Sequence, residues 1–502
     1  MTTKPRHIAT TACTWVLLAL TALLAALAIS ACSPTSASSS SAASQAASSS
    51  AASSSAQAQS DASSSSAPAQ ATSQTPSTSS APAQPSYYSP GEGYTLQQVV
   101  VLSRHNIRAP LSTNGSALAQ ATTHKWIDWT ANPSELTLRG GALETRMGQY
   151  FRTWLETEGL IPQNWQPTDA EARFYANAKQ RTIATAQYFS SGMLPVANTR
   201  IETHAPYDTM DPVFTPGLSF VSDSYQEAAL QQIAEWGGAN GMAGVAAELE
   251  DNFKLLADVV DYENSEGVGS GELAPFDTTD TQVVLELGKE PGMSGSLKTA
   301  CSLADALVLQ YYEAADDARA AFGKNLSLDE WTAISKIKDL YGDVLFTAPL
   351  VATNVAHPLL EEIAAELDAH ESGRLFTFLC GHDSNLGSVL AALEASAYEL
   401  PDTIEKKTPI GSKLLFERWT DSSGAELCRV RLLYQSTEQL KGLTLLADGE
   451  EPMSYEISFE GLQKNADGLY AFSEVRDRLQ EAIEGYDQLL EDYGEPGLAQ
   501  AA

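Results

Sequence analysis

The sequence predicts an α/β fold, with a three-layer core on a mostly parallel sheet and a smaller, mainly helical insertion. Three short runs of β-forming residues each end in a polar loop that leads into a stretch with helical spacing, which is the repeating unit of an α/β protein. Between about residues 205 and 350 the sequence changes to Ala, Asp, Glu and Leu at helical spacing. A chain of 502 residues is long enough for a large buried core in addition to an unfolded N-terminal segment.

Residues 1–32 are typical of a secretory leader. Lys4 and Arg6 precede the apolar run 15–29, which is short for a membrane-spanning helix. The run leads into the sequence ISAC, so Cys32 falls where cleavage is expected and matches the lipid-attachment box of bacterial lipoproteins. We therefore predict a lipoprotein signal peptide that ends at Cys32, with an ordinary cleaved signal or an uncleaved anchor as the alternatives.

Residues 33–90 form a Ser/Ala-rich tract, which cannot bury enough apolar surface to fold and is predicted to be a disordered tether. The folded domain is predicted at 91–502. Only Lys4, Arg6 and Asp61 among the charged residues precede it, so this domain carries 28 basic and 62 acidic residues. So acidic a surface repels nucleic acid and anionic lipid. We therefore expect no nucleic-acid partner, and membrane contact only through the lipid anchor.

The predicted elements place three loops at the ends of strands. The three units share the order strand, polar loop and helix, with strands at 96–102, 173–176 and 375–380 and helices at 136–155, 182–189 and 385–393. Ligands of such sheets bind outside the carboxyl ends of the strands, so we expect the loops to converge on one site. Further helices are predicted at 225–235, 303–321 and 328–341, and an antiparallel hairpin at 413–434.

The loop after the first strand carries the strongest chemical signal. Its sequence SRHNIRAP, residues 103–110, places His105 between Arg104 and Arg108. Arginine side chains bind phosphate oxygens in a bidentate manner and stay charged at all relevant pH values. A neutral imidazole between them can attack phosphorus. The alternative is a surface loop whose arginines pair with the abundant acidic residues.

The first loop contains no group that could protonate a leaving alkoxide, and the other two loops supply that group and further candidate phosphate ligands. His382 offers a second imidazole that can donate to a phosphoryl oxygen, and Asp383 a carboxyl that can protonate a leaving alkoxide. Taken alone, Asp383 is more typical of a residue that caps the following helix than of a proton donor, and the combination with the first loop favours the proton donor. Arg181 opens a helix, where backbone N–H groups and the helix dipole favour a phosphate, and a surface ion pair is its alternative.

The motifs R-H-x-x-R-x-P and G-H-D resemble the histidine acid phosphatase branch, branch 2, of the histidine phosphatase superfamily, and within it the bacterial glucose-1-phosphatases. The likeness continues in order through LTLRGGALETRMGQYFRTWL, FYANAKQRTIATAQYFSSG, EPGMSG and GHDSNLGSVLAAL. It spans residues 91 to about 480. The resemblance implies a core like that of phosphoglycerate mutase, with the helical insertion over the site.

The resemblance also implies hydrolysis of phosphate monoesters through a phosphohistidine, without a metal or other cofactor. His105 would be the nucleophile and Asp383 the proton donor. The phosphoryl oxygens would be bound by Arg104, Arg108, Arg181 and His382. The expected substrate is a small monoester, above all a sugar 1-phosphate such as glucose 1-phosphate. The alternatives are a phytase or broad-specificity acid phosphatase and, more distantly, a noncatalytic phosphate-binding lipoprotein.

Two positions bear on the subgroup and the substrate. The wider family usually has Gly after the nucleophilic His, whereas this chain has Asn106, as glucose-1-phosphatase-like members do. Glu290 lies in the EPGMSG segment of the insertion, where the resembling enzymes place an acidic residue facing the pocket. We predict that Glu290 bonds sugar hydroxyls and repels additional phosphates, with a solvated surface acid as the alternative.

Overall fold

The structure is a computed structural model, and it describes residues 89–111, 115–314, 316–447 and 449–494. The predicted leader with Cys32, and residues 33–88 of the predicted tether, lie outside the described residues. No helix within the described part of the chain combines the length and the apolar character needed to cross a lipid bilayer.

A seven-stranded mixed sheet forms the centre of the fold. The strands in the described residues are β1 (Thr95–Arg104), β2 (Ala172–Ala176), β3 (Gln282–Val284), β4 (Gly292–Ser294), β5 (Phe376–Gly381), β6 (Lys413–Thr420), β7 (Glu426–Tyr434), β8 (Met453–Glu456) and β9 (Tyr470–Ala471). The order in the sheet is β2-β5-β1-β6-β7-β8, with β9 also paired to β7. The neighbours β2, β5 and β1 are parallel, whereas β6 to β9 are added by antiparallel pairs. The α/β class and the predicted hairpin, β6–β7, are confirmed, and the parallel part of the sheet carries the predicted loops.

The helices connect these strands and cover the sheet. They are α1 (Gly115–Gln120), α2 (Leu138–Thr157), α3 (Gln180–Met193), α4 (Asp223–Glu235), α5 (Gly241–Ala247), α6 (Glu250–Val260), α7 (Glu266–Ser270), α8 (Ser296–Glu313), α9 (Asp317–Ala320), α10 (Leu328–Phe346), α11 (Pro349–Asp368), α12 (Asp383–Ala392), α13 (Thr437–Gly442) and α14 (Phe472–Tyr493). The helix predicted at 303–321 is wrong in its second half, because α8 ends at Glu313 and a new short helix begins after Asp316. The Asp316 side chain accepts from the N–H of Ala318, so it caps the start of α9.

Both faces of the sheet are buried, which gives the three predicted layers. Side chains alternate along β1: Val99 and Val101 belong to a core shared with α2 and α3, and Val100 and Leu102 to a core shared with α11, α12 and α14. A third core is built mostly from the helical insertion, with α4, α6, α8 and α10 as its main elements. The mainly helical insertion of the predicted fold is therefore confirmed.

Two glycines allow α2 and α3 to lie in direct backbone contact. A Cβ on Gly148 would stand 2.1 Å from the carbonyl oxygen of Phe189, and one on Gly192 would stand 2.1 Å from that of Thr145. No side chain fits such distances, so the close approach depends on glycine at both positions. The contact fixes α3, and therefore the loop before it, against α2.

Candidate active site

The carboxyl ends of three neighbouring parallel strands meet at the candidate site. In the sheet register Ala176 of β2 lies beside Cys380, and Arg104 of β1 lies beside Gly381. The three polar loops therefore leave from one edge, as expected for this kind of sheet. A cavity of about 530 Å³ opens there, and its lining includes all seven predicted residues of the folded domain: Arg104, His105, Arg108, Arg181, Glu290, His382 and Asp383.

His105 is buried and held in one tautomer. Its Nδ1 lies 2.8 Å from the backbone oxygen of Asn106, and since a carbonyl can only accept, Nδ1 carries the proton and Nε2 keeps a lone pair. Burial first, and then the positive charges of Arg181 and the other site cations, hold the pKa of His105 well below its usual range. The imidazole therefore stays neutral, and nucleophilic at Nε2, in acidic solution.

Three fully buried side chains fix the peptide that follows His105. The amide nitrogen of Asn106 donates to Oε1 of Glu144 at 2.9 Å, and Nζ of Lys413 donates to the same oxygen at 3.0 Å. The Asn106 Oδ1 accepts from the N–H of Ile107 at 2.8 Å. The carbonyl that orients the His105 ring is thus tied to a buried ion pair. Asn106 could be identified from the sequence as a position near the nucleophile, whereas no sequence pattern marks Glu144 or Lys413 as residues of the site.

Arg104 is oriented by two carboxylates. Its Nη2 lies 3.1 Å from Oδ2 of Asp383, and its Nη1 donates to Oε1 of Glu405 at 2.9 Å. The guanidinium and Glu405 are buried, whereas 48% of the Asp383 side chain is exposed to the cleft. Arg104 is therefore held in a fixed orientation, with Nη2 on the side of the partly exposed Asp383.

Lys338 connects Arg104 to Arg108 through two further acids. Its Nζ donates to the same Glu405 oxygen at 2.9 Å and lies 3.6 Å from Oδ1 of Asp305, whose Oδ2 accepts from Nη2 of Arg108 at 3.0 Å. These contacts form a continuous chain of alternating charges beneath the cavity. Burial lowers the pKa of Lys338, but the charges of Glu405 and Asp305 more than offset it, and the net shift is upward. Lys338 therefore stays cationic.

His382 and Asp383 begin α12, directly after β5. The N–H of His382 donates to Oδ1 of Asn385 at 2.9 Å, so Asp383 is the first residue of the helix and not its cap. Burial raises the pKa of Asp383, but the charges of Arg104 and Lys338 outweigh it and hold that pKa well below its usual range. Burial and Arg181 hold the pKa of His382 well below its usual range as well. The unliganded site thus pairs a carboxylate with a neutral imidazole.

Arg181 faces the same cavity from the first turn of α3. Its Nη2 lies 3.5 Å from Nδ1 of His382, and burial together with the charge of Arg108 lowers its pKa to about 10. It remains charged at any physiological pH. Three guanidiniums therefore converge beside His105, and mutual repulsion between cations favours an anion among them.

Glu290 lies in the cavity lining, in the segment between β3 and β4. The residue is exposed at the cleft, yet partial desolvation and then the negative charge of Asp383 raise the pKa of its carboxyl. The structure therefore brings Glu290 to the same cleft as the other predicted residues.

No group of three or more His, Cys, Asp or Glu side chains within the described ranges is arranged to hold a metal ion. The charges of the site are instead supplied by arginine, lysine and carboxylate side chains.

An α/β fold that places a buried histidine, three arginines and a carboxyl at the carboxyl ends of its parallel strands is typical of a histidine-type phosphatase. The sequence model of the histidine phosphatase superfamily (branch 2) matches residues 95–435. The glucose-1-phosphatase of Salmonella typhimurium is 38% identical over 381 residues, which is 75% of this chain and 90% of that protein. The glucose-1-phosphatase of Providencia rettgeri is 34% identical, over 78% of this chain and 92% of that protein. The chain therefore belongs to branch 2 of the histidine phosphatase superfamily.

More distant relatives are phytases. Phytase AppA of Escherichia coli is 27% identical over 74% of this chain and 89% of that protein. Among solved structures, the phytase of Hafnia alvei has a TM-score of 0.70 at 24% identity, and the match covers 79% of this chain and 98% of that one. That structure shares the fold.

Proposed function

We propose that this phosphatase hydrolyses small phosphate monoesters in acid through a phosphohistidine. In the first step Nε2 of His105 bonds to phosphorus, the bond from phosphorus to the alcohol oxygen breaks, and Asp383 gives its proton to the leaving oxygen. In the second step water attacks phosphorus, Asp383 takes a proton from it, and the phosphorus–nitrogen bond breaks. The observation that carries the proposal is a buried His105, with Nδ1 bonded to the backbone, in one cavity with three arginines and Asp383.

The proposed phosphate ligands supply what phosphoryl transfer needs. Charge that spreads over the oxygens in the transition state is met by fixed donors on Arg104, Arg108, Arg181 and His382. Because Glu405 and Asp305 hold two of the guanidiniums in place, little reorganisation is required when the substrate enters.

The charges around Asp383 predict an acidic optimum. In the unliganded site the cations keep Asp383 ionised, whereas a bound phosphate offsets those cations and raises the pKa of the carboxyl. The proton needed by the leaving group is therefore present only in acidic solution. The rate of monoester hydrolysis should fall above pH 7, and a rate that rises steadily through neutral pH would contradict this role.

Sugar 1-phosphates are the proposed substrate class, with glucose 1-phosphate as the example. The two glucose-1-phosphatase relatives and apolar Leu111 in the cavity lining support a small monoester, and the phytase relative supports the alternative. The test is phosphate release from glucose 1-phosphate and from phytate, at acidic pH with a chelator present. Faster turnover of glucose 1-phosphate is expected. Tight phosphate binding without turnover of either ester would favour a noncatalytic binding lipoprotein.

We propose that Glu290 contributes to this preference, since its carboxylate can accept from sugar hydroxyls and repels a second phosphate. Glu290→Ala should lower the ratio of glucose 1-phosphate to phytate turnover. Glu286→Ala is the matched control, because Glu286 is an exposed acid of the same segment that pairs with Lys289. An unchanged ratio in Glu290→Ala would refute the role.

For the N-terminal region we propose an extracytoplasmic enzyme attached to the membrane through lipid on Cys32, with residues 33–90 as its tether. The support is the leader pattern of residues 1–32. Mass spectrometry of the mature N-terminus should find a diacylated cysteine, and Cys32→Ser should release the protein from membranes. An unmodified N-terminus beyond Cys32 would indicate an ordinary signal peptide.

A further inference from the structure

We propose that Asn177 is a positioning residue that fixes the proton of His382 on Nδ1. His382 would then meet the phosphoryl group as a neutral hydrogen-bond donor across the acidic range. The inference deepens the proposed function, because it rests on phosphate binding in the same cavity. Its physical content, the tautomer of one imidazole, can be measured independently of any turnover.

Asn177 is buried at the end of β2 and held on three sides. Its backbone N–H donates to the carbonyl of Cys380 at 2.9 Å, and its own carbonyl accepts from Oγ1 of Thr182 at 2.6 Å. Its side-chain oxygen Oδ1 accepts from the backbone N–H of Asp211 at 2.9 Å. A backbone N–H can only donate, so the amide oxygen must face Asp211 and the amide nitrogen must face the other way.

The amide nitrogen of Asn177 therefore points at His382. Nδ2 lies 2.7 Å from Nε2 of His382 and 3.2 Å from Sδ of Met210, so each of its two hydrogens has an acceptor. An amide NH₂ group has no lone pair to offer. Nε2 of His382 must consequently be the acceptor, and the proton of the neutral ring lies on Nδ1.

The Nδ1 side of the ring faces the phosphate cavity. Its neighbour there is Nη2 of Arg181 at 3.5 Å, and a guanidinium cannot accept a hydrogen bond. Two donors that face each other across this gap are suited to an anionic oxygen that accepts from both. His382, directly after β5, and Arg181, in α3, would thus both donate hydrogen bonds to the same phosphoryl group.

Protonation of Nε2 is opposed by geometry and by charge. An imidazolium would set its Nε2–H against the NH₂ group of Asn177. The neutral ring of His105 lies beside the His382 ring at a centroid distance of 5.5 Å. The charged groups around the His382 ring act in the same direction except for its neighbour Asp383: Arg104 and Arg108 face it from the β1 loop and Arg181 from α3. Burial and these cations hold the pKa of His382 well below its usual range. The N–H donor at Nδ1 of His382 therefore stays in place across the acidic pH range in which the enzyme is expected to act.

The decisive experiment is nitrogen NMR of the full-length protein labelled with ¹⁵N in histidine, with the His382 signals assigned by comparison with His382→Gln. We expect a proton on Nδ1 and none on Nε2 from pH 4 to 7. A wild-type spectrum with the proton on Nε2, or with a titration in this range, would overturn the proposal. The wild-type spectrum suffices even where a variant does not fold.

Asn177→Asp gives the second reading, because a carboxylate accepts where the amide donated. The proton of His382 should move to Nε2, and an imidazolium should appear in acid. Between pH 4 and 6 the inhibition constant of inorganic phosphate should gain, relative to the wild type, an additional slope of up to tenfold per pH unit. A pH dependence of inhibition equal to that of the wild type, together with an unchanged tautomer, would refute the role.

The matched control is Asn354→Asp. Asn354 is a buried asparagine outside the cavity lining, with Oδ1 accepting from the N–H of Ser219 at 2.9 Å and Nδ2 donating to the carbonyl of Phe220 at 3.1 Å. It should lose stability without changing the His382 signals. If wild-type His382 carries its proton on Nδ1 but the protein does not hydrolyse monoesters, this inference stands and the proposed function is refuted.

Discussion

The ion pair between Lys413 and Glu144 offers a quantitative test of how the nucleophile loop is held. Both side chains are fully buried, with Nζ 3.0 Å from Oε1, and the rings of Phe189 and Phe378 lie 5.6 and 5.8 Å from Nζ. Met at position 413 would preserve that apolar packing. Lys413→Met would leave a buried carboxylate without its counter-charge, which costs about 3–5 kcal/mol of unfolding free energy.

The cost should depend on pH with a definite sign. Burial already raises the pKa of Glu144, although Lys413 and Asn106 oppose that shift, so without Lys413 the pKa rises further. A group whose folded pKa exceeds its unfolded value stabilises the fold below the unfolded pKa, and that contribution is lost as pH rises. Above the folded pKa of Glu144 in the wild type, stability of the variant relative to wild type should therefore fall by up to about 1.4 kcal/mol per pH unit until Glu144 ionises in the folded variant.

The assay is urea denaturation of the wild type, Lys413→Met and Lys413→Met/Glu144→Gln at pH 5 and pH 7. The double variant should recover much of the loss at pH 7, because it removes the unpaired charge. The kcat of the single variant should also fall, since the Asn106 carbonyl that orients His105 loses its support. A loss below about 1 kcal/mol at both pH values, or a double variant no more stable than the single one, would refute this reasoning.

Three further predictions concern the cavity itself. Asp383→Asn should slow hydrolysis of glucose 1-phosphate on the order of a hundredfold. Hydrolysis of 4-nitrophenyl phosphate should slow much less, because its leaving group needs no proton. Equal losses of rate for the two substrates in steady-state assays would exclude Asp383 as the general acid. Arg181→Met removes a charge that lowers the pKa of His105. The acidic limb of the kcat/KM profile should therefore move to higher pH by about one unit. An unmoved limb would count against His105 as the group that titrates there. Lys338→Met removes the cation between Glu405 and Asp305 and should weaken phosphate binding about tenfold by calorimetry, whereas unchanged affinity would show that the arginines need no such link.

The strands and loops of the site could be predicted because their signals are local. The run predicted at 96–102 is β1 at Thr95–Arg104, and the other two strands of the parallel part begin or end within one residue of their predicted bounds. A buried parallel strand that stops at a polar loop is readable from a few consecutive residues. The convergence of the three loops then follows from the sheet itself.

The groups that orient the site could not be predicted, because their partners are distant in the sequence. Glu405 meets Arg104 across 301 positions, and Lys413 meets Glu144 across 269. No periodic pattern marks such a pair, and in a chain this acidic a single carboxylate carries no signal of its own. Asn177 is a similar case, since its role depends on which side of its amide faces Asp211.

The most direct test of the central claim is to trap the phosphorylated enzyme. The protein is mixed with ³²P-labelled monoester in acid, quenched in alkaline detergent and examined for protein-bound label that acid releases. Label is expected on the wild type and on the control His124→Ala, but not on His105→Ala. His124 is a suitable control because its ring stacks on Phe322 outside the cavity lining. Label that persists on His105→Ala, or turnover by the wild type with no label at any time point, would contradict a phosphohistidine at His105.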